Sequence, residues 1–185
     1  MAFDQATSTT GWAFGDIQPG GQRVQLIKHG DIQLKSGSLG ARLIELGQDI
    51  GELLRDFQPA RMVIEGHNYH GFPSPDTILA MAGAAAVCHM EAIRFGIKCD
   101  AINISTWRDK LGVKAPKTPK ARPIKERVLF PGYKPPKKDP DAIKRVCRNL
   151  MMELHSIPLE AFKSLDQAEA IGILTAYPRV FEVMS

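Results

Sequence analysis

A chain of 185 residues with 44% hydrophobic and 24% charged residues has the size and balance of one globular domain that can bury a full core. Cys88, Cys99 and Cys147 are odd in number and lack CxxC spacing, and neither a secretory leader nor an apolar run of bilayer length stands out. That predicts a reduced, cytoplasmic protein without zinc or a membrane partner, and argues against a disulfide scaffold. The net charge of +4 is unevenly placed: residues 107–148 hold 14 Lys/Arg against 4 Asp/Glu, a net of +10, which leaves −6 for the remainder.

The chain opens on an apolar lead, Met1-Ala-Phe3, that runs straight into Asp4. Small hydroxyl residues follow, then Gly11 and Trp12-Ala-Phe14. This reads as strand, tight turn, strand, with a carboxylate at the first strand's exit. Such an acid opens a turn and faces water unless it has a task. Val24–Leu34 reads as a third strand after the turn Pro19-Gly-Gly21. Leu39, Leu43, Leu46, Ile50, Leu53, Leu54 and Phe57 then recur at three and four, an amphipathic helix opened by Ser38 and ended near Pro59. Arg61-Met-Val-Ile-Glu65 is a fourth strand, and it too leaves on an acid.

The loop at 66–75 carries Tyr69 and Phe72, and Asp76 is the expected cap of a helix running to about Phe95. That helix's stretch Ala80-Met-Ala-Gly-Ala-Ala-Ala has so little side chain that another helix can approach closely, either within the chain or in a dimer. Ile97–Ile104 reads as a fifth strand. Residues 114–140 contain seven prolines and form a basic Lys/Pro-rich insertion, read either as a solvated linker or, given its length inside a compact domain, as a functional or disordered loop. A basic lobe beside an acidic remainder suits a polyanion gripped on one side and metal ions held on the other.

Asp139-Pro140-Asp141 predicts the next helix start, with proline at the first helical position. Its apolar face is Ile143, Val146, Cys147, Leu150, Met151 and Leu154, with Lys144, Arg145 and Arg148 pointing elsewhere. A last helix from about Ser164 to Tyr177 carries Asp166 and Glu169 on one face.

With the third, first and fourth strands as neighbours, Asp4 and Glu65 fall side by side at a sheet edge, and the last helix can lay Asp166 and Glu169 across it. Four clustered carboxylates repel unless cations neutralise them, and hard oxygen ligands favour Mg²⁺ or Mn²⁺. Two such ions about 3.5–4 Å apart clamp a phosphodiester and activate water for in-line attack.

Three motifs together, in order and across nearly the whole chain, resemble RuvC-type Holliday-junction resolvases. They are Asp4 with its Thr-rich turn and Gly11-Trp12, Val63-Ile-Glu65 after the helix end Phe57-Gln-Pro59, and Asp166-Gln-Ala-Glu169-Ala170. The resemblance implies an α/β, ribonuclease-H-like fold: a mixed five-stranded sheet, its first three strands antiparallel, flanked by helices. It also implies a homodimer through the helix at about 79–95, and paired, Mg²⁺-dependent cutting of four-way DNA junctions with two ions per site. Asp4, Glu65, Asp166 and Glu169 match the family's metal-binding acids, Glu169 standing where Asp is more common. Arg108 and Lys144 fall near its basic residues.

The insertion and the Thr-rich turn look more like phage-type members. The expected DNA-binding residues are Thr7 and Thr9 in the turn, Tyr69 and Phe72 in the loop, and Arg108, Lys114, Lys117, Lys120, Lys134, Lys137, Lys138, Lys144, Arg145 and Arg148. Thr7 to Thr10 are expected to offer hydroxyls and backbone N–H groups to a phosphate. His67 and His70 are expected to line the DNA groove, or to be plain polar loop residues, rather than bind zinc.

Three rivals remain. An ATPase sharing the acid–turn–strand opening needs a second domain that 185 residues do not hold. A binding module without catalysis has no need of all four acids. A nuclease of the same fold acting on flaps, forks or RNA-containing substrates is the serious one, since its fold and metal site would look the same.

Overall fold

Side-chain alternation along the strands decides how the sheet is covered. The computed structural model describes residues 1–20, 23–35, 37–66, 74–114, 139 and 141–181. The five strands are β1 (Ala2–Asp4), β2 (Thr9–Ile17), β3 (Val24–Gln33), β4 (Arg61–Gly66) and β5 (Lys98–Asn103), ordered β3-β2-β1-β4-β5. β1–β2 and β2–β3 pair antiparallel, whereas β1–β4 and β4–β5 pair parallel. The mixed sheet with three antiparallel leading strands is therefore the one expected, with one correction. β3 does not neighbour β1, because β2 lies between them, pairing with β1 by one edge at Gly11–Ala13 and with β3 by the other along its whole length.

Helix α1 (Leu39–Phe57) is capped by Ser38, whose side chain accepts from Ala41 N, and ends at Gln58 in the left-handed region before Pro59. Helix α2 (Pro75–Arg94) is capped by Ser74 and not by Asp76. The Ser74 hydroxyl accepts from Thr77 N at 3.2 Å, and Pro75 takes the first position, where a missing N–H costs nothing. Helix α3 (Ile104–Leu111), closed by Gly112 at φ 70°, occupies residues with no clear helical period and is not foreseen by the sequence pattern. Helix α4 (Ala142–His155) starts after Asp141, and Pro140, expected at its first position, lies outside the described residues. A 3₁₀ turn at Leu159–Ala161 leads to α5 (Leu165–Phe181), whose start is capped by Ser164 Oγ accepting from Gln167 N at 3.2 Å.

Phe3, Trp12, Met62 and Ile64 point to one face and form a core with Leu46, Ile50 and Leu54 of α1 and Ala84, Cys88 and Ala92 of α2. Their alternating neighbours Ala2, Ala13 and Val63 point to the other face, toward Trp107 of α3, Cys147 and Met151 of α4, and α5. The second face is built from small residues, so α5 lies close against the strands. Every residue of α5 from Gln167 to Pro178 is buried, as suits a helix enclosed on all sides.

The outer side of α2 is different. Leu79, Met90 and Ile93 are 62%, 65% and 77% exposed, and Ala82 and Ala86 lie exposed between them. By length and composition α2 could cross a membrane, contrary to the sequence expectation. Its best 18-residue window averages 1.3 in hydropathy, and 17% of that window is buried. Here it is a sheet-covering helix, anchored through Ala84, Cys88 and Ala92, with one apolar face left bare. The three cysteines are free thiols.

Candidate active site

The parallel register Ala2↔Val63 and Phe3↔Ile64 carries β1 and β4 together to their exits, so Asp4 and Glu65 become neighbours. They stand at the ends of two inner strands rather than on an edge strand. Gln5 fixes this pairing: its Nε2 donates to Glu65 O at 2.7 Å, and its Oε1 accepts from Glu65 N at 3.1 Å. On the other side Asp4 pairs with Gly11, and α5 crosses at that point. A Cβ on Gly11 would stand 2.1 Å from Asp166 O, so only glycine allows the helix this approach.

The crossing brings one carboxylate oxygen each of Asp4, Asp166 and Glu169 within 4.8 Å of one another. Asp4 and Glu169 are buried, 8% and 1% exposed. Glu65 is half-buried beside them, and its Oε1 accepts from Trp107 Nε1 at 3.0 Å. Cations compensate the cluster from the facing helices. Lys144 Nζ lies 2.6 Å from Asp166 Oδ1, 2.8 Å from Glu169 Oε2 and 3.8 Å from Asp4 Oδ2. Arg108 pairs with Glu169 through Nη2 and lies against the Trp107 ring.

Burial, with the charges of Glu65 and Glu169, raises the Asp4 carboxyl well above the usual range, against the pull of Lys144. Glu65 is pushed up to about 7 by burial and Glu169, opposed by Trp107, Arg108 and Lys144. Burial would lower Lys144, but Asp4 and Glu169 carry it well above the ordinary lysine value. Carboxylates this hard to ionise together call for added positive charge. Among the described residues the donor set contains oxygen alone, without sulfur or imidazole, and so fits Mg²⁺ or Mn²⁺.

The other expected residues separate into groups. Thr7 and Thr9 are half-buried in and beside the turn after β1. Thr10 is not available to a phosphate as expected, because its hydroxyl donates to Ala6 O and accepts from Ala6 N. Lys144 points inward to the acids rather than away from them, Arg145 pairs with Asp139, and Lys114 is exposed. Arg148 is half-buried, and its Nε finds no hydrogen-bond partner among the described residues. Tyr69, Phe72, Lys117, Lys120, Lys134, Lys137 and Lys138, with His67 and His70, lie outside the described residues. Gln5, Gly11 and Trp107 are parts of the site that the sequence does not mark as such. Only the motif Gly11-Trp12 hints at one of them.

No family model and no curated protein sequence matches the chain. Solved structures do. Thermus thermophilus RuvC in complex with Holliday junction substrate superposes with a TM-score of 0.69 at 12% identity, covering 97% of this chain and 94% of that one. Fowlpox virus resolvase, in complex with substrate Holliday junction DNA, reaches 0.56 at 11% identity over 97% and 95% of the two chains. The yeast mitochondrial Holliday junction resolvase Ydc2 reaches 0.54 at 14% identity over 96% and 76%. Strand order, flanking helices and these superpositions agree: the chain has the ribonuclease-H-like fold in the form seen in RuvC-type resolvases.

Proposed function

We propose that this protein is a metal-dependent endonuclease that resolves four-way DNA junctions by paired phosphodiester hydrolysis. The observation that carries the reading is the convergence of Asp4, Asp166 and Glu169, with Glu65 on the adjoining strand, at one end of a resolvase-like sheet. Asp4, Glu65, Asp166 and Glu169 are the residues to hold two Mg²⁺ or Mn²⁺ ions. Such ions stabilise charge on the phosphoryl oxygens and lower the pKa of a bound water. Trp107 orients the Glu65 carboxylate, Arg108 steadies Glu169, and Lys144 restrains the mutual repulsion of Asp4, Asp166 and Glu169. Arg108 and Lys144 contact the acids themselves, and Thr7 and Thr9 border the same end of the sheet, so a phosphate brought to the acids would meet these groups.

The test is incubation with four-way, flap, fork, duplex and RNA–DNA substrates under Mg²⁺ or Mn²⁺. Symmetric nicks confined to the four-way substrate support the reading. Equal cutting of flaps, forks or RNA-containing strands gives the site to a related nuclease of the same fold.

Paired cutting needs two sites related by a two-fold axis, and an isologous dimer supplies them. The bare strip Leu79, Ala82, Ala86, Met90 and Ile93 of α2 is our choice for the interface. Gly83, expected in that strip, instead faces α1, where a Cβ would meet Leu43 Cδ1 at 2.8 Å. Ala86→Glu buries an unpaired charge at such an interface and should cost a few kcal/mol of association. Sedimentation should then show a monomer that binds metal but makes unpaired nicks. A wild-type protein that stays monomeric at micromolar concentration with junction DNA present would rule out this interface.

The basic segment at 107–148 predicts a steep salt dependence of junction binding, log K falling linearly with log salt. Replacing Lys134, Lys137 and Lys138 together with Gln should reduce the slope by about one unit for each phosphate no longer neutralised. An unchanged slope would remove the insertion from the binding surface.

A further inference from the structure

We infer that Asp31, on β3, is a positioning residue for the acid cluster, holding the first turn of α5 in the register that delivers Asp166 and Glu169 to Asp4. The inference rests on the nuclease reading above. Across the sheet, Asp31 pairs with Gly11, and Gly11 pairs with Asp4. The three positions therefore lie in one row, on the face covered by α5. Asp4 meets the carboxylates of the helix, Gly11 meets its backbone at Asp166, and Asp31 meets the side chains on either side of Asp166.

Asp31 Oδ1 accepts from Ser164 Oγ at 2.6 Å, and Oδ2 accepts from Gln167 Nε2 at 2.8 Å. Gln167 is 1% exposed, and its Oε1 accepts from Lys163 N at 3.1 Å. Ser164 in turn caps Gln167 N. The Ser164 hydroxyl and the Gln167 amide converge on one carboxylate. Both Asp31 oxygens are thus taken up, and β2 separates β3 from Asp4's strand. Asp31 therefore acts through the helix rather than as a ligand.

The remainder of α5 is held by apolar burial from Ala168 to Pro178, which survives loss of the brace. Loosening should be confined to the turn that carries Asp166. Asn in place of Asp31 leaves one oxygen for two donors: turned toward Ser164 it sets an NH₂ against the NH₂ of Gln167, and turned toward Gln167 it takes the acceptor from the Ser164 hydroxyl. Turning the Gln167 amide over only moves the clash to Lys163 N.

The test compares wild type, Asp31→Asn, the double variant Asp31→Asn with Gln167→Glu, and Asp4→Asn as the ligand-loss control. In the double variant the bond reverses direction, Asn donating to the new carboxylate, at unchanged net charge. Mn²⁺ affinity is read by electron paramagnetic resonance, junction binding in EDTA by gel shift, and fold by thermal melting. Removing an outer support of a metal site weakens affinity about 10–100-fold, and that is the shift expected for Asp31→Asn. Junction binding in EDTA should be unchanged, and the double variant should recover most of the Mn²⁺ affinity. Unaltered Mn²⁺ affinity in Asp31→Asn would overturn the inference. So would a double variant no better than the single, or a loss of affinity no greater than the loss of folded protein. If wild type titrates no Mn²⁺, or Asp4→Asn binds as well as wild type, the nuclease reading itself fails and this inference falls with it.

Discussion

Asp4→Asn and Glu169→Gln should each lower metal-dependent junction cleavage by at least about a thousandfold, equivalent to about 4 kcal/mol of barrier. Both side chains belong to the set whose oxygens converge within 4.8 Å, and both substitutions keep shape while removing charge. The stabilisation of transition-state charge by a bound cation is worth several kcal/mol, and it is lost with the ligand. Junction binding in EDTA should persist, since the basic segment is untouched.

Thermal melting in EDTA separates this result from simple unfolding. The Asp4 carboxyl is held well above its usual pKa by burial, Glu65 and Glu169, so its charge is disfavoured by the fold that surrounds it. Asn is easier to bury there, and the Asp4 variant should melt no lower than wild type. It should, however, lose the rise in melting temperature that Mn²⁺ gives wild type. Wild-type cutting rates in either variant would refute the metal-site assignment. A collapse of the melting temperature would make Asp4 a structural residue.

Gly11→Ala should damage stability and catalysis together without removing a single functional group. The added methyl would lie 2.1 Å from Asp166 O, 2.2 Å from Asp166 C and 2.7 Å from Gln167 N. These are backbone atoms that cannot rotate aside, so the first turn of α5 must move. Overpacking of this kind costs about 3 kcal/mol, which for a domain of this size lowers the melting temperature by about 6–12 °C. A shift of about 1 Å in Asp166 relative to Asp4 should reduce cleavage about a hundredfold. Gly40→Ala is the matched control. Nothing lies within 4 Å of a Cβ there, and alanine in the first turn of α1 should melt no lower than wild type. The close approach would be disproved if Gly11→Ala melted and cut like wild type.

The local pattern is enough for much of this architecture. The three-and-four spacing from Leu39 to Phe57 gives α1 its buried edge, because a helix repeats its faces every 3.6 residues. Acids at the ends of two apolar strands, and a pair three residues apart near the C-terminus, mark the four carboxylates without any knowledge of the packing. Helix α3 escapes such a pattern because its eight residues, Ile104–Leu111, bury only Trp107 and so show no apolar period. Asp76 looks like the cap of α2 because Ser74-Pro-Asp76 offers two capping side chains, and only the backbone shows which one accepts the N–H.

Other features belong to the tertiary structure alone. Lys144 reads as a solvent-facing residue from its helix, yet it reaches three acids because α4 packs beside α5. Gln5, Gly11 and Asp31 look like ordinary strand and turn residues. Their partners are Glu65, Asp166, Gln167 and Ser164, at separations of up to 155 residues, from Gly11 to Asp166. Periodicity reports which side of an element is apolar, because burial repeats with the element's own geometry. It carries no record of which distant backbone will arrive on that side, and here that arrival decides where the acids meet.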